Sequence, residues 1–243
     1  MKNGIQVTGM VLSSMPIGEY DRRISLLTKE LGKISVFAKG ARKPKGAFVA
    51  CTQSFCFGEF IVFPGKSYTL VGAEVKNYFS EFRDDFESMY CGMYFCEVAE
   101  YYAQEGMDEG ERLRLLYASL KALSAKKMPQ KLIKAVFDLR MIVAEGEGPN
   151  CFECIECGSK DFGELVNFSL HDGGVICDEC APGDILKIHK GTLYAMQYIS
   201  TAPLEKLYYF TLSEERMKEL CDVVAKYRDL HVDRKFKSEE MLS

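Results

Sequence analysis

The stretch RRISLLTKELGKISVFAKGARKPKG, residues 22–46, decides how the first part of this chain folds. Two runs rich in β-branched and apolar residues, RRISLLT and KISVFAK, flank the turn-prone KELG, the pattern of two strands and a connection. Alternation puts Ile24, Leu26, Ile34 and Val36 on the buried side and leaves cations at the strand ends. GARKPKG then offers two glycines, a proline and no apolar anchor beyond Ala41, which predicts an exposed loop. From Arg22 to Lys45 there are eight Lys or Arg and one acid, Glu30. The loop lacks the G-x-x-x-x-G-K-[ST] order of a phosphate-binding P-loop.

The flanks continue the strand pattern. IQVTGMVLSS precedes the stretch, and QSFCFGEFIVF and SYTLVGAEVKNYF follow it, divided by the hairpin signal PGK. About five strands therefore occupy the first 80 residues, with the basic loop joining the third to the fourth. A closed barrel is the economical arrangement because it leaves no sheet edge.

After residue 80 the period changes. FRDDFESMYCGMYFCEVAEYYAQ, EGERLRLLYASLKALS and PQKLIKAVFDLRMIVAEG place large side chains at three- and four-residue spacing, with Pro129 suited to a helix start. A helical pattern is also expected for GDILKIHKGTLYAMQYIS, APLEKLYYF and SEERMKELCDVVAKYRDLHV, the last with a serine cap and acids in its first turn. KFKSEEMLS reads as a tail or partial turn. The expected fold class is thus α+β: a barrel in residues 1–80, a helical domain in 81–148 and 185–243, and a cysteine-rich insert in 149–184.

Within that insert, Cys154 and Cys157 form one C-x2-C pair, and Cys177 and Cys180 form another nineteen residues on. Two such pairs can turn four thiolates onto one ion, the set that structural zinc prefers. Cys151 creates a competing pair with Cys154, and the resulting triplet resembles iron–sulfur ligation without its C-x3-C-P continuation. His171 is a further potential ligand, read as an exposed turn residue. Four cysteines leave no open coordination position, so the zinc is structural and not catalytic. With little apolar sequence of its own, the insert is expected to draw much of its folding energy from the metal. The other cysteines, as in CTQSFCF and MYCGMYFC, read as small buried hydrophobes.

Composition sets the outer limits. The chain has 243 residues, 47% hydrophobic and 27% charged, as in soluble globular proteins. No apolar run approaches the length of a membrane span, and MKNGIQVTGMVLSS lacks the pattern of a cleavable leader, so a cytoplasmic protein is expected. A net charge of −4 conceals an asymmetry, since residues 1–80 carry eleven Lys or Arg against five Asp or Glu. A nucleic-acid surface would therefore lie in the barrel, where cations release condensed counterions and aromatic residues can stack on bases. Phe37, Phe48, Phe55, Phe57 and Tyr68 are available, though most suit a core. The insert, with eight acids and one lysine, is an unfavourable DNA surface. No G-x-S-x-G, H-E-x-x-H, dinucleotide or Walker motif occurs, and the acids of RDDFE suit a helix start, so no enzyme is expected.

GEYDRRISLLTKELGKISVFAKGARKPKG, then QSF and the GK…L…AEV hairpin, CIECG…GGVICDEC, and YRDLHVDRKFKS together resemble the RecO family of bacterial recombination mediators over nearly the whole chain. The resemblance implies an N-terminal OB-fold barrel on a helical domain carrying a zinc module. It implies binding of single- and double-stranded DNA, annealing of complementary strands, and work with RecR to load RecA onto DNA coated by single-stranded-DNA-binding protein. That protein's C-terminal tail is an implied partner, with a groove among the helices as its expected place. The family's basic residues fall on Arg22, Arg23, Lys39, Arg42, Lys43 and Lys45, and its metal ligands on Cys154, Cys157, Cys177 and Cys180. Gly18, Asp21, Gly32 and Gly40 look like framework positions. Gly46, where the family often has serine, Ser54, where it has proline, and Cys151, where it has an apolar residue, depart from the pattern. The competing reading is a protein-interaction scaffold in DNA repair with only incidental nucleic-acid contact.

Overall fold

A computed structural model describes residues 4–242. The chain forms two compact units: one runs to Ser124 and takes the chain back from Phe236, and the other is Ala125–Lys235.

In the first unit, strands β1 (Ile5–Ile17), β2 (Asp21–Thr28), β3 (Gly32–Ala38), β4 (Phe57–Phe63) and β5 (Tyr68–Asn77) close a barrel in the order β1-β2-β3-β5-β4. Neighbours are antiparallel except β3 and β5, where Val36 faces Tyr68 in parallel. This is the five-stranded OB-fold barrel. Alternation buries Val7, Ile24, Leu26, Ile34, Val36, Phe60 and Val62 inside it, each contributing about 1.5–3 kcal/mol. The KELG connection is fixed by Thr28, whose hydroxyl donates to the Gly32 carbonyl at 2.8 Å and accepts from the Leu31 N–H at 3.0 Å. Gly32 has φ +68°, and a Cβ there would stand 1.9 Å from the Gln104 carbonyl oxygen, so only glycine fits.

The sequence places QSFC in a strand, but β4 begins only at Phe57. Phe55 adopts φ +71° and turns its ring edge-on to Phe82 at 5.4 Å. Its N–H still donates to the Val11 carbonyl at 2.9 Å, beside the bulge in β1. Helices α1 (Phe86–Tyr102) and α2 (Gly110–Ala125) follow. Asp85, one of the RDDFE acids, caps α1 by accepting from the Ser88 N–H at 3.1 Å. The returning C-terminal segment packs Phe236 edge-on to Tyr94, and Ser238 donates to Glu97 through its N–H and its hydroxyl.

The second unit holds α3 (Gln130–Ala144), α4 (Lys190–Thr201) and α5 (Glu214–His231), with a three-stranded sheet of β6 (Leu165–Ser169), β7 (Gly174–Ile176) and β8 (Leu186–His189) in the order β7-β6-β8. Pro129 precedes α3, and Ser213 caps α5. Two helical expectations are corrected. LKIH is the strand β8, paired with β6, and α4 starts only after His189, whose Nδ1 accepts from the Gly191 N–H at 2.9 Å. A four-residue run cannot display a period, and Ile188 fits a buried strand position as well as a helical one. APLEKLYYF forms successive turns and not a helix. Among the described residues no helix is long and apolar enough to cross a membrane.

Candidate metal centre and candidate nucleic-acid interface

The four cysteines of the two C-x2-C pairs converge. The sulfurs of Cys154, Cys157, Cys177 and Cys180 all lie within 4.8 Å of one another, and those of Cys157 and Cys177 are 3.6 Å apart. A tetrahedral thiolate site with metal–sulfur bonds of about 2.3 Å needs sulfurs roughly 3.8 Å apart, so the donor set fits such an ion. Each pair sits on a tight turn. The Cys154 carbonyl accepts from the Gly158 N–H at 2.8 Å, with Gly158 at φ +76°, and the Cys177 carbonyl accepts from Cys180 and Ala181 at 3.1 and 3.0 Å. These turns aim backbone donors at sulfur, as in the 3.3 Å bond from the Cys177 N–H to the Cys154 Sγ.

The electrostatics follow. Burial by itself raises the Cys154 thiol, but N–H donors of Cys177, Cys157 and Glu156 outweigh it and hold the group at about 6. Cys180 is pushed up to about 12, chiefly by hydrogen bonds with the Cys177 and Cys157 thiols and then by burial. One thiolate is thus well supported while the Cys157 and Cys180 thiols are held above their ordinary value, a conflict that a dication at the centre would remove. Cys151 takes no part: it is buried, burial pushes its thiol up to about 12, and its carbonyl accepts from Gln197 at 2.6 Å. His171 points outward, 3.3 Å from Asp172, away from the cluster.

The basic residues separate into two groups. Arg22 and Arg23 are consecutive on β2 and so face opposite sides. Arg22 is half-buried, and its Nη1 donates to the Ser14 Oγ at 3.5 Å and to the Thr52 carbonyl and hydroxyl at 3.3 and 3.4 Å. Arg23 is exposed and lies in register between Met15 and Phe37. Lys39, Arg42, Lys43 and Lys45 are exposed as well. Neither Arg23 nor these four forms an ion pair among the described residues. Lys76, by contrast, is neutralised by Glu59 on another part of the barrel.

The loop that carries these cations is built from successive turns. Gly46 donates to Lys43, Val49 to Gly46 and Gln53 to Ala50, at 2.9, 3.2 and 3.3 Å. Three bonds tie it to the β1–β2 turn: the Gly40 N–H to the Asp21 Oδ1 at 2.7 Å, the Arg42 N–H to the Tyr20 carbonyl at 2.8 Å, and the Arg42 Nη1 to the Gly18 carbonyl at 3.1 Å. The framework positions Gly18, Asp21 and Gly40 are therefore where the loop is fastened. Among the suggested stacking residues, Phe55 is buried and Phe48 and Tyr68 pack against the barrel core. Phe57 lies on Tyr117 with ring centroids 4.6 Å apart, and Phe37 is half-buried on the outer face. Sequence reasoning passed over Tyr20, an exposed aromatic with the Lys43 ammonium 5.7 Å from its ring centroid. Its signal was an aromatic inside the polar turn GEYD, where no core awaits it.

An OB-type barrel with an uncompensated basic loop, in one chain with a helical unit and four converging thiols, defines a modular barrel protein with a candidate metal site. Residues 1–79 match the model of the family described as "Recombination protein O N terminal", and residues 83–240 match "Recombination protein O C terminal". The chain belongs to this RecO family. Similar proteins named "DNA repair protein RecO" come from Acetivibrio thermocellus, 32% identical over 237 residues covering 96% of this chain and 94% of that one, and from Alkaliphilus metalliredigens, 30% identical over 233 residues covering 95% and 94%.

Proposed function

We propose that the protein is a DNA-binding recombination mediator that acts by binding and not by chemistry. The barrel holds DNA through phosphate contacts of Arg23, Lys39, Arg42, Lys43 and Lys45. In this reading it anneals complementary strands and, with RecR, helps RecA load onto single strands coated by single-stranded-DNA-binding protein, whose tail it contacts. Its place is the cytoplasm, at the nucleoid during repair. Cys154, Cys157, Cys177 and Cys180 hold one structural zinc ion, which shapes the insert and takes no part in the binding step. Metal analysis of protein purified without chelator should find about one zinc per chain.

The observation that carries the reading is the group of exposed cations without acid partners on one loop and strand of the barrel. Cations left unpaired by the protein's own acids are free to replace counterions along a phosphate backbone. The test is binding to single-stranded DNA across a salt series. The variant Arg42→Ala/Lys43→Ala/Lys45→Ala should bind more weakly, with a log–log salt slope smaller by about two units. An unchanged affinity and slope would overturn this placement, and RecR binding without any DNA binding would favour the scaffold reading.

A further inference from the structure

Phosphate contacts alone do not select a single strand, since the duplex presents phosphates too and at higher charge density. A groove that prefers single strands adds aromatic surface for unpaired bases. The aromatics of the barrel are mostly consumed by its own packing, as Phe55, Phe57, Phe48 and Tyr68 show. Tyr20 is different. It lies on the β1–β2 turn, outside the core, and keeps 43% exposure even with the Lys43 ammonium over its ring.

Its position is also fastened to the basic loop. The Tyr20 carbonyl accepts from the Arg42 N–H, and the neighbouring Gly18 and Asp21 hold the Arg42 guanidinium and the Gly40 N–H. Ring and cations are thereby preorganised as one piece, which lowers the ordering cost of binding.

We propose that Tyr20 is a base-stacking residue that biases this basic face toward single-stranded nucleic acid. An unpaired base lies on the exposed part of the ring while Lys43 and Arg42 meet the flanking phosphates. This rests on the reading of the face as a DNA-binding surface. Duplex bases are already stacked on one another, so the ring adds nothing to duplex binding.

The test measures the full-length protein against three probes of equal length: an oligothymidylate, an abasic oligonucleotide and a blunt duplex. Tyr20→Ala should weaken oligothymidylate binding about tenfold or more, leave the other two probes within about twofold, and leave the salt slope unchanged because no charge is removed. Tyr20→Phe should retain binding. The chain contains no tryptophan, so Tyr20→Trp supplies a single indole reporter. Its emission should be quenched by oligothymidylate and not by the abasic strand. If Tyr20→Ala binds oligothymidylate like the parent while the triple cation variant fails, stacking is overturned and the DNA face stands. An equal loss on all three probes overturns it too, reducing Tyr20 to a brace for the loop. A parent protein that binds none of the probes overturns the reading beneath it.

Discussion

In the barrel, Val7, Val11, Ile24, Leu26, Ile34, Val36, Phe60 and Val62 interlock behind a closed ring of strand hydrogen bonds. In the cysteine ribbon, the corresponding buried cluster is Cys154, Ile176 and Cys177, with Ile155, Phe162 and Ile185 half-covered beside it. Apolar burial accounts for the first; around the thiols the second is much smaller, although Val166, Phe168 and Val175 of β6 and β7 are buried as well. The ribbon's acids face water, while its four thiols converge inside the reach of a single ion. The contrast also separates the two candidate sites chemically. The basic loop offers exposed cations without ion-pair partners among the described residues, and the thiol cluster offers four converging sulfurs.

Metal removal is the largest way to break that comparison. Structural zinc contributes about 10–16 kcal/mol to the folding of small zinc peptides, which rivals the whole stability of an ordinary domain. Chelator treatment, or Cys177→Ala, should therefore abolish amide-exchange protection in β6 and β7 while β1–β5 stay protected. Ribbon amides that remain protected without metal would show that the apolar cluster suffices. The barrel's own test is Phe60→Ala. Phe60 is fully buried, so the substitution should cost about 3–5 kcal/mol in denaturant unfolding and leave metal content unchanged.

A smaller effect concerns the helix beside the ribbon. The Tyr227 hydroxyl donates to the Glu147 carbonyl at 2.9 Å, and its ring meets Phe168 edge-on. Burial, followed by the Cys151 and Glu147 charges, pushes the phenol up to about 12. The folded state thus holds its proton more tightly than the unfolded chain, whose tyrosine titrates near 10. The contribution is complete below pH 10 and is lost as pH rises from 10 toward about 12. Tyr227→Phe should cost about 1 kcal/mol at neutral pH and flatten the alkaline decline in stability. A decline as steep as the parent's would assign it to other groups.

How much of this could be read from the sequence depends on the range of the interactions. The barrel strands were legible because their alternation runs for seven or more residues. The thiol centre was legible because each ligand pair lies within one turn. LKIH was not, being too short to show a period and continuous with α4. The order within residues 40–56 was hidden because its decisive bonds reach back to Gly18, Tyr20 and Asp21, which spacing does not reveal. Phe55 was misplaced for a related reason, as its left-handed backbone answers to Phe82 in the next segment.

The finest expected difference falls on adjacent residues that the family resemblance treats alike. Arg22 donates to Ser14 and Thr52 and is half-buried, whereas Arg23 is exposed without an ion-pair partner among the described residues. Arg22→Ala leaves the Thr52 carbonyl without that donor and should cost about 1–2 kcal/mol of stability, with little change in the salt slope of DNA binding. Arg23→Ala should stay within about 0.5 kcal/mol of the parent in stability and reduce the single-strand salt slope by about 0.7. Side by side, unfolding and salt-series measurements on the two variants separate a cation that holds the loop from one that meets phosphate. If Arg22→Ala lowers the slope and Arg23→Ala does not, the phosphate path runs over the Thr52 side of the barrel and the outer row of Met15, Arg23 and Phe37 lies off it.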